Sequence, residues 1–265
     1  MLASINSPED LKKIPESSLP SLAAEIRKKI ISTVAKNGGH LASNLGVVEL
    51  TIALHRVFSS PRDAIIFDVS HQSYTHKLLT GRGDDFGSLR KKGGISGFQR
   101  KAESEHDYFD NGHSSTSISQ GLGLLCAWEK LRNSGSAKDS SGNSGNPGNP
   151  EKTGDSERKV VVVIGDGALT GGMAYEALSH AGQLSKNLIV VLNDNQMSIS
   201  PNDSAISRYL STMTMTGFYQ KFRCAVDNLV DKIPNSKRHI GKFIYKLKRG
   251  IKGMFLTPNI FTDLG

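Results

Sequence analysis

Two short segments place oxygen donors and glycines where a metal-bound anion could sit. The apolar run KVVVVIGDG (159–167) predicts a buried strand that ends at Asp166, between Gly165 and Gly167. A second apolar run, NLIVVLNDN (187–195), predicts another strand that ends at Asn195. The stretch 171–184 between them has helical spacing, with Met173, Ala177, Ala181 and Leu184 on one face. A strand–helix–strand unit implies parallel strands, so Asp166 and Asn195 arrive at the same edge of the sheet. That is the carboxyl edge, where open α/β sheets bind ligands. A carboxylate and an amide oxygen suit a hard cation such as Mg²⁺, which takes about six oxygens and shares some of them with phosphate groups. Gly165 and Gly167 would let the backbone approach an anion, and the helix that follows can aim N–H groups at it. A Gly-Asp-Gly corner alone is ordinary strand–turn–helix punctuation. The second strand end, coupled to the first at a fitting helix length, makes it a candidate site.

Three histidines lie in glycine- or serine-punctuated loops: His40 in GGHLASNLG (38–46), His71 in DVSHQSYTHK (68–77) and His113 in NGHSSTSIS (111–119). An imidazole, with an ordinary pKa of about 6.5, suits proton transfer near neutral pH. A loop histidine is also compatible with plain solvation. His76, His106 and His180 read as structural.

The remaining pattern supplies the scaffold. A Ser-Pro-Glu-Asp start opens a helical region over 8–37, with Leu22, Ile26, Ile30 and Val34 recurring every fourth residue. The segment 38–46 reads as a loop, 46–58 as a helix buried on most sides, and 63–70 as a buried parallel strand. Residues 80–112 read mostly as loop, and a helix is expected from Ser114 to Leu131. Ser114 is a candidate N-cap for it. Residues 133–157 (NSGSAKDSSGNSGNPGNPEKTGDSE) are low in apolar side chains and punctuated by Gly and Pro. They read as a flexible insertion that cannot bury enough surface to offset its ordering entropy. The expected class is α/β, a mostly parallel sheet flanked by helices, in one domain over 1–265, with 201–265 weakly patterned and basic.

Apolar residues make up 37% of the 265, and the net charge is +8. Much of the charge falls in the run 236–253, which reads as a solvated helix face because no nucleic-acid motif accompanies it. Cys126 and Cys224 are the only cysteines and suggest neither a disulfide framework nor a thiolate metal site. No apolar run approaches the roughly 20 residues needed to span a bilayer, and the N-terminus lacks the apolar core of a signal peptide. The expectation is a cytoplasmic protein with neither nucleic-acid nor membrane partners.

The pattern GDGALTGG…LNDNQMSIS (165–200) resembles the thiamine-diphosphate motif of transketolase-like enzymes. Five blocks in order sharpen the resemblance to the 1-deoxy-D-xylulose 5-phosphate synthase family: 38–51, 68–82, 91–107, 111–123 and 165–182. The resemblance implies the thiamine-diphosphate-binding fold, with thiamine diphosphate and Mg²⁺ as cofactors. It implies that Asp166, Asn195 and the carbonyl of Met197 hold the metal. His71, Gly112, His113, Ser114, Gly167, Ala168 and Asn195 would then bind the cofactor, with Ile199 and Ser43 as weaker carry-overs. His40 matches the family's histidine implicated in proton transfer. The implied reaction condenses pyruvate with D-glyceraldehyde 3-phosphate and releases CO₂, for isoprenoid, thiamine and pyridoxal synthesis, in a homodimer.

Two departures stand out. Ser70, Ser73 and Thr75 occupy positions where the family usually has Gly, Ala and Pro. The family's later domains, with the glutamate that activates the cofactor, have no counterpart here. The expectation is an N-terminal portion of the enzyme, inactive alone. One subunit of a split enzyme with a second chain, or a non-catalytic cofactor-binding remnant, are the alternatives. Glu49, Glu103 and Glu105 are the carboxylates that could carry unassigned work.

Overall fold

A computed structural model describes residues 1–136, 158–184 and 187–194. Asn195, Met197 and Ile199, residues 137–157 of the insertion, Cys224 and the basic segment 201–265 lie outside the described residues.

Pro8 opens a short helix, α1 (Pro8–Lys12), after Ser7, with Glu9 and Asp10 in its first turn. The long helix α2 (Leu19–Asn37) follows, separated from α1 by a 3₁₀ turn (Glu16–Ser18), so the region expected as one helix is two. The four-residue repeat faces inward as expected: Leu22, Ile26 and Ile30 are fully buried and Val34 is nearly so. The 38–46 loop contains a single-turn helix, α3 (Leu41–Leu45), before α4 (Val48–Val57). β1 (Ala64–Phe67) is buried at every position. Then come α5 (Tyr74–Leu79), an irregular stretch with one 3₁₀ turn (Asp85–Ser88), and α6 (Ser117–Ser136). α6 thus runs four residues into the segment read as insertion. β2 (Val160–Gly165), α7 (Asp166–Leu169), α8 (Gly172–Leu184) and β3 (Leu188–Asn193) complete the described chain.

The three strands are parallel in the order β1-β2-β3, with Ile65 paired to Val161 and Val161 to Ile189. Because side chains alternate along a strand, each face collects every second residue. Ile65, Phe67, Val161, Val163 and Val191 form one face and pack against Leu50, Leu54 and Phe58 of the α4 region. The other face carries Val160, Val162 and Leu188, and Gly121 of α6 lies directly on them. A second core gathers α2, α4 and α5 through Leu22, Ile26, Ile30, Val48, Ile52, Leu78 and Leu79. Full burial of each such side chain is worth roughly 1.5–3 kcal/mol, a large share of a typical net stability of about 5–15 kcal/mol. On α8 the buried stripe is Ala174, Ala177 and Ala181. Met173 and Leu184, expected on that face, are exposed.

A buried polar cluster braces α5 against the 95–107 stretch. His76 Nε2 donates to Asp107 Oδ1 at 2.8 Å, and Arg82 pairs with the same carboxylate at 2.5 Å. His55 Nε2 lies 2.9 Å from His76 Nδ1. Since His76 donates through Nε2, a neutral ring accepts at Nδ1, so His55 donates through Nε2 and presents a bare acceptor at Nδ1. That is the His55 atom without a partner. Lys77, fully buried, pairs with Glu103 at 2.7 Å. Within residues 103–107, His106 and Asp107 are buried, Glu103 and Ser104 are partly buried, and Glu105 is exposed. Glu49 is bound by Arg27 at 2.6 Å.

Candidate functional site

All three strands end at one edge. Phe67 is followed by Asp68, Gly165 by Asp166, and Asn193 by Asp194, with Gly165 and Asn193 in register. Asp166 opens α7 at 5% exposure, and Gly167 and Ala168 follow in the same short turn, partly exposed. Of the three residues expected to hold a metal, Asp166 alone is described, and it stands where the strand pattern put it. Asn195 and Met197 lie outside the described residues.

The second segment is the loop before α6. Gly112, His113 and Ser114 are exposed, and open space lies where a side chain at Gly112 would point. His113 Nδ1 donates to the Ser114 carbonyl at 2.8 Å. Ser114 is not the N-cap of the helix: α6 begins at Ser117, and the Thr116 carbonyl accepts from Gln120 N–H at 3.0 Å. The reason is Asp68. Its buried carboxylate accepts from Ser115 N–H at 2.8 Å, Ser117 N–H at 3.1 Å and the Ser117 hydroxyl at 2.6 Å, which delays the helix by pinning two of its entering amides. The Ser115 hydroxyl donates to the Ala168 carbonyl at 2.6 Å, which joins the 112–117 loop to the 165–171 turn.

The third group is the pair His40 and His71, whose rings meet edge to face at 5.2 Å, with Phe98 beside His40 at 6.0 Å. One buried side chain places both loops. Asn44 Nδ2 donates to the His40 carbonyl at 2.6 Å and the His71 carbonyl at 2.7 Å, and its Oδ1 accepts from Tyr74 N–H at 2.9 Å. Tyr74 Oη in turn accepts from His40 N–H at 3.4 Å. Gly39 is required here, because its φ is +144° and a Cβ would lie 2.7 Å from Tyr74 Oη. Ser43 lies half-buried in α3. His40 is exposed, yet partial desolvation of its ring and then the nearby Arg90 guanidinium push its pKa below its ordinary value. Burial, and then the proximity of His40, do the same to His71 against the opposing pull of Asp68. Both rings are therefore neutral at pH 7, and His40 is free to take up a proton.

The departures at 70, 73 and 75 have a structural reading. Ser70 sits at φ +66°, preceded by Val69 at φ +58°, a conformation that costs a β-branched residue most. The buried Ser70 hydroxyl recovers part of that cost by accepting from Gln99 N–H at 2.8 Å. Gln99 also accepts from Phe67 N–H at 2.9 Å and donates to the Ile65 carbonyl at 3.0 Å, so the strained loop is bolted to β1. Ser73 Oγ and Thr75 Oγ1 are buried without partners, and His71 Nδ1 is as well.

Of the residues singled out by sequence, the structure brings His40 against His71 and joins the Gly112–Ser114 loop to the Asp166–Ala168 turn through Ser115. Sequence reading missed Asn44, Asp68, Gln99 and Ser115, which hold them in place. Asp68 had a visible signal, an acidic residue at the carboxyl end of a buried strand, as Asp166 is. A cavity of about 450 Å³ lined by Leu125, Trp128, Arg158 and Leu184 lies near the amino ends of β2 and β3, at the opposite edge of the sheet. Among the described residues no helix is long and apolar enough to cross a membrane.

A family model described as 1-deoxy-D-xylulose-5-phosphate synthase matches residues 2–140 and 135–265. The chain is 50% identical over its whole length to 1-deoxy-D-xylulose-5-phosphate synthase 1 of Geobacter sulfurreducens, of which it covers 38%. It is 49% identical to the corresponding protein of Alkaliphilus oremlandii, covering 39% of it. The chain thus spans well under half the length of the curated relatives it matches. Among solved structures, transketolase from Leishmania mexicana aligns at TM-score 0.57 and 21% identity, over 73% of this chain and 31% of that one. Transketolase from Campylobacter jejuni aligns at 0.58 and 20%, over 70% and 29%. At such identities the likeness is one of fold, and the parallel sheet between helices agrees with it.

Proposed function

Because the chain belongs to the 1-deoxy-D-xylulose-5-phosphate synthase family, we propose that it forms the part of that transferase which binds the diphosphate and metal of thiamine diphosphate. The observation that carries this reading is the joining of three assigned segments around Asp68: His71 beside it in sequence, Gly112–Ser114 through Ser115, and Gly167–Ala168 through the Ser115 hydroxyl. The residues fit the group. The partnerless His71 Nδ1, the open space at Gly112 and the carboxylate of Asp166 are what a metal-bound diphosphate needs nearby.

In this proposal Asp166 and Asn195 side chains and the Met197 carbonyl hold Mg²⁺, and Gly112, His113, Ser114, Gly167 and Ala168 line the diphosphate. When bound, thiamine diphosphate supplies the electron sink for decarboxylating pyruvate, whose two-carbon remainder joins D-glyceraldehyde 3-phosphate. His40, exposed and with its pKa lowered by partial desolvation and by Arg90, serves as a proton acceptor and donor. The cytoplasm, a homodimer and a route toward isoprenoids, thiamine and pyridoxal belong to the same proposal. So do one domain over 1–265 and a flexible insertion at 133–157. The 38% coverage of the Geobacter relative favours a complement, whether covalently continuous or a second chain, that completes the site.

The 265 residues alone are expected to form no 1-deoxy-D-xylulose 5-phosphate from pyruvate and D-glyceraldehyde 3-phosphate. Joined to the remaining domains of the Geobacter relative, they should give turnover dependent on thiamine diphosphate and Mg²⁺. His40→Ala should lower that turnover by roughly 10²-fold or more. Robust product from the 265 residues alone, or full turnover by the His40→Ala hybrid, would contradict the proposal.

A further inference from the structure

Ser115 is strained and over-determined. Its φ is +68°, a conformation that a non-glycine residue adopts only when its surroundings enforce it. Two bonds enforce it from opposite sides. The backbone N–H donates to Asp68 Oδ1 at 2.8 Å, at the end of β1, and the hydroxyl donates to the Ala168 carbonyl at 2.6 Å, in the turn that follows β2. Asp68 is itself fixed, because its own N–H donates to the Val163 carbonyl of β2 at 2.8 Å. The closeness has a further requirement. A Cβ on Gly171 would collide with the Ser115 hydroxyl, so glycine at 171 is what lets the turn meet the loop. Gly171 N–H also reaches the Ala168 carbonyl, at 3.3 Å, so that oxygen is held from both sides.

We propose that Ser115 is a positioning residue, a latch whose hydroxyl holds the Gly167–Ala168 turn at a fixed distance from the Gly112–Ser114 loop so that both walls meet one diphosphate. The inference rests on the cofactor reading above and deepens it. Ser115 does not touch the cofactor. It acts through the Ala168 carbonyl, and the strain at its backbone is the cost of aiming the hydroxyl there. Preorganised walls bind a ligand more tightly than walls that must be ordered on binding.

Two variants separate the hydroxyl from the strain. Ser115→Ala removes the hydroxyl and keeps the strained backbone, whereas Ser115→Gly removes the hydroxyl and relieves the strain. Calorimetric titration of the full chain with thiamine diphosphate and Mg²⁺ should show Kd raised roughly 3- to 10-fold in both, the effect of one net hydrogen bond. Hydrogen exchange of the ligand-free chain should show faster exchange at amides 166–171 in both variants, with exchange in β1 and β2 unchanged. Unaltered exchange at 166–171, or a Kd equal to wild type in either variant, overturns the latch. A merely structural role would lower the melting temperature of Ser115→Ala while leaving Kd alone, and that too overturns it. If the variants show faster exchange at 166–171 but the wild-type chain shows no cofactor binding at all, the cofactor reading fails, and the latch as a binding device fails with it.

Discussion

Asn44 carries more of the candidate site than its place in the sequence suggests. Its amide is fully buried, and its three bonds tie the His40 loop, the His71 loop and the first turn of α5 to one point. Removing it takes this partner from two part-buried carbonyls and one buried N–H. Asn44→Ala should therefore lower unfolding free energy by about 2–4 kcal/mol, at roughly 1 kcal/mol per lost bond and more where a group is left unpaired. Urea denaturation followed by circular dichroism measures this, and a loss below about 0.5 kcal/mol would mean that the loops hold themselves. His40 and His71 were singled out because their glycine- and serine-punctuated loops match a family pattern, and the structure brings the two rings together. Asn44 and Ser115 were not singled out, because their partners lie 27 and 53 residues away and no spacing rule encodes such contacts. Ser114 was misread for a related reason: hydroxyls abound at 114–117, and the Asp68 carboxylate decides which of them ends up next to the helix.

At the scale of elements, apolar periodicity gave the three strands, the α2 stripe and the α6 helix. It gave no reading where polar side chains do the packing. α5 is buried at every residue from Tyr74 to Leu79, including His76 and Lys77, which no hydrophobic pattern would place inside. That burial has a consequence for acid stability. Burial pushes the His76 pKa down to about 4, against the pull of the Asp107 hydrogen bond. His55 is lowered still more clearly, by burial and by its neighbour His76. Burial works to raise the Asp107 carboxyl, but His76 and Arg82 hold it below the usual carboxylate range. Both imidazoles are neutral in the fold and take up protons once it opens. Below the ordinary histidine value of 6.5 the unfolded chain therefore binds more protons than the folded one. The stability they contribute is present above pH 6.5 and is lost as pH falls from there toward 4, by an amount on the order of a few kcal/mol. His40, His71 and His106 are lowered as well and act in the same sense. Asp107 adds its own loss only below the ordinary carboxylate range. Urea midpoints at pH 7, 6 and 5 should fall steadily, and a flat profile across that window would contradict the neutral pair.

For the molecule as a whole, the α/β class and the candidate site at the carboxyl edge follow from a few buried runs and the rule that parallel strands share a binding edge. What lay beyond reach was the inner wiring, the polar cluster and the latch, because these depend on chain segments that meet only after folding. The central claim is that this edge binds a metal-bridged diphosphate through Asp166, the one charged member of the proposed metal set. Calorimetric titration of thiamine diphosphate into wild-type and Asp166→Ala chains, with and without Mg²⁺, tests it most directly. Wild type should show saturable binding that requires Mg²⁺, and Asp166→Ala should show none under the same conditions. Equal affinity in the two chains, or wild-type binding indifferent to Mg²⁺, would contradict the account.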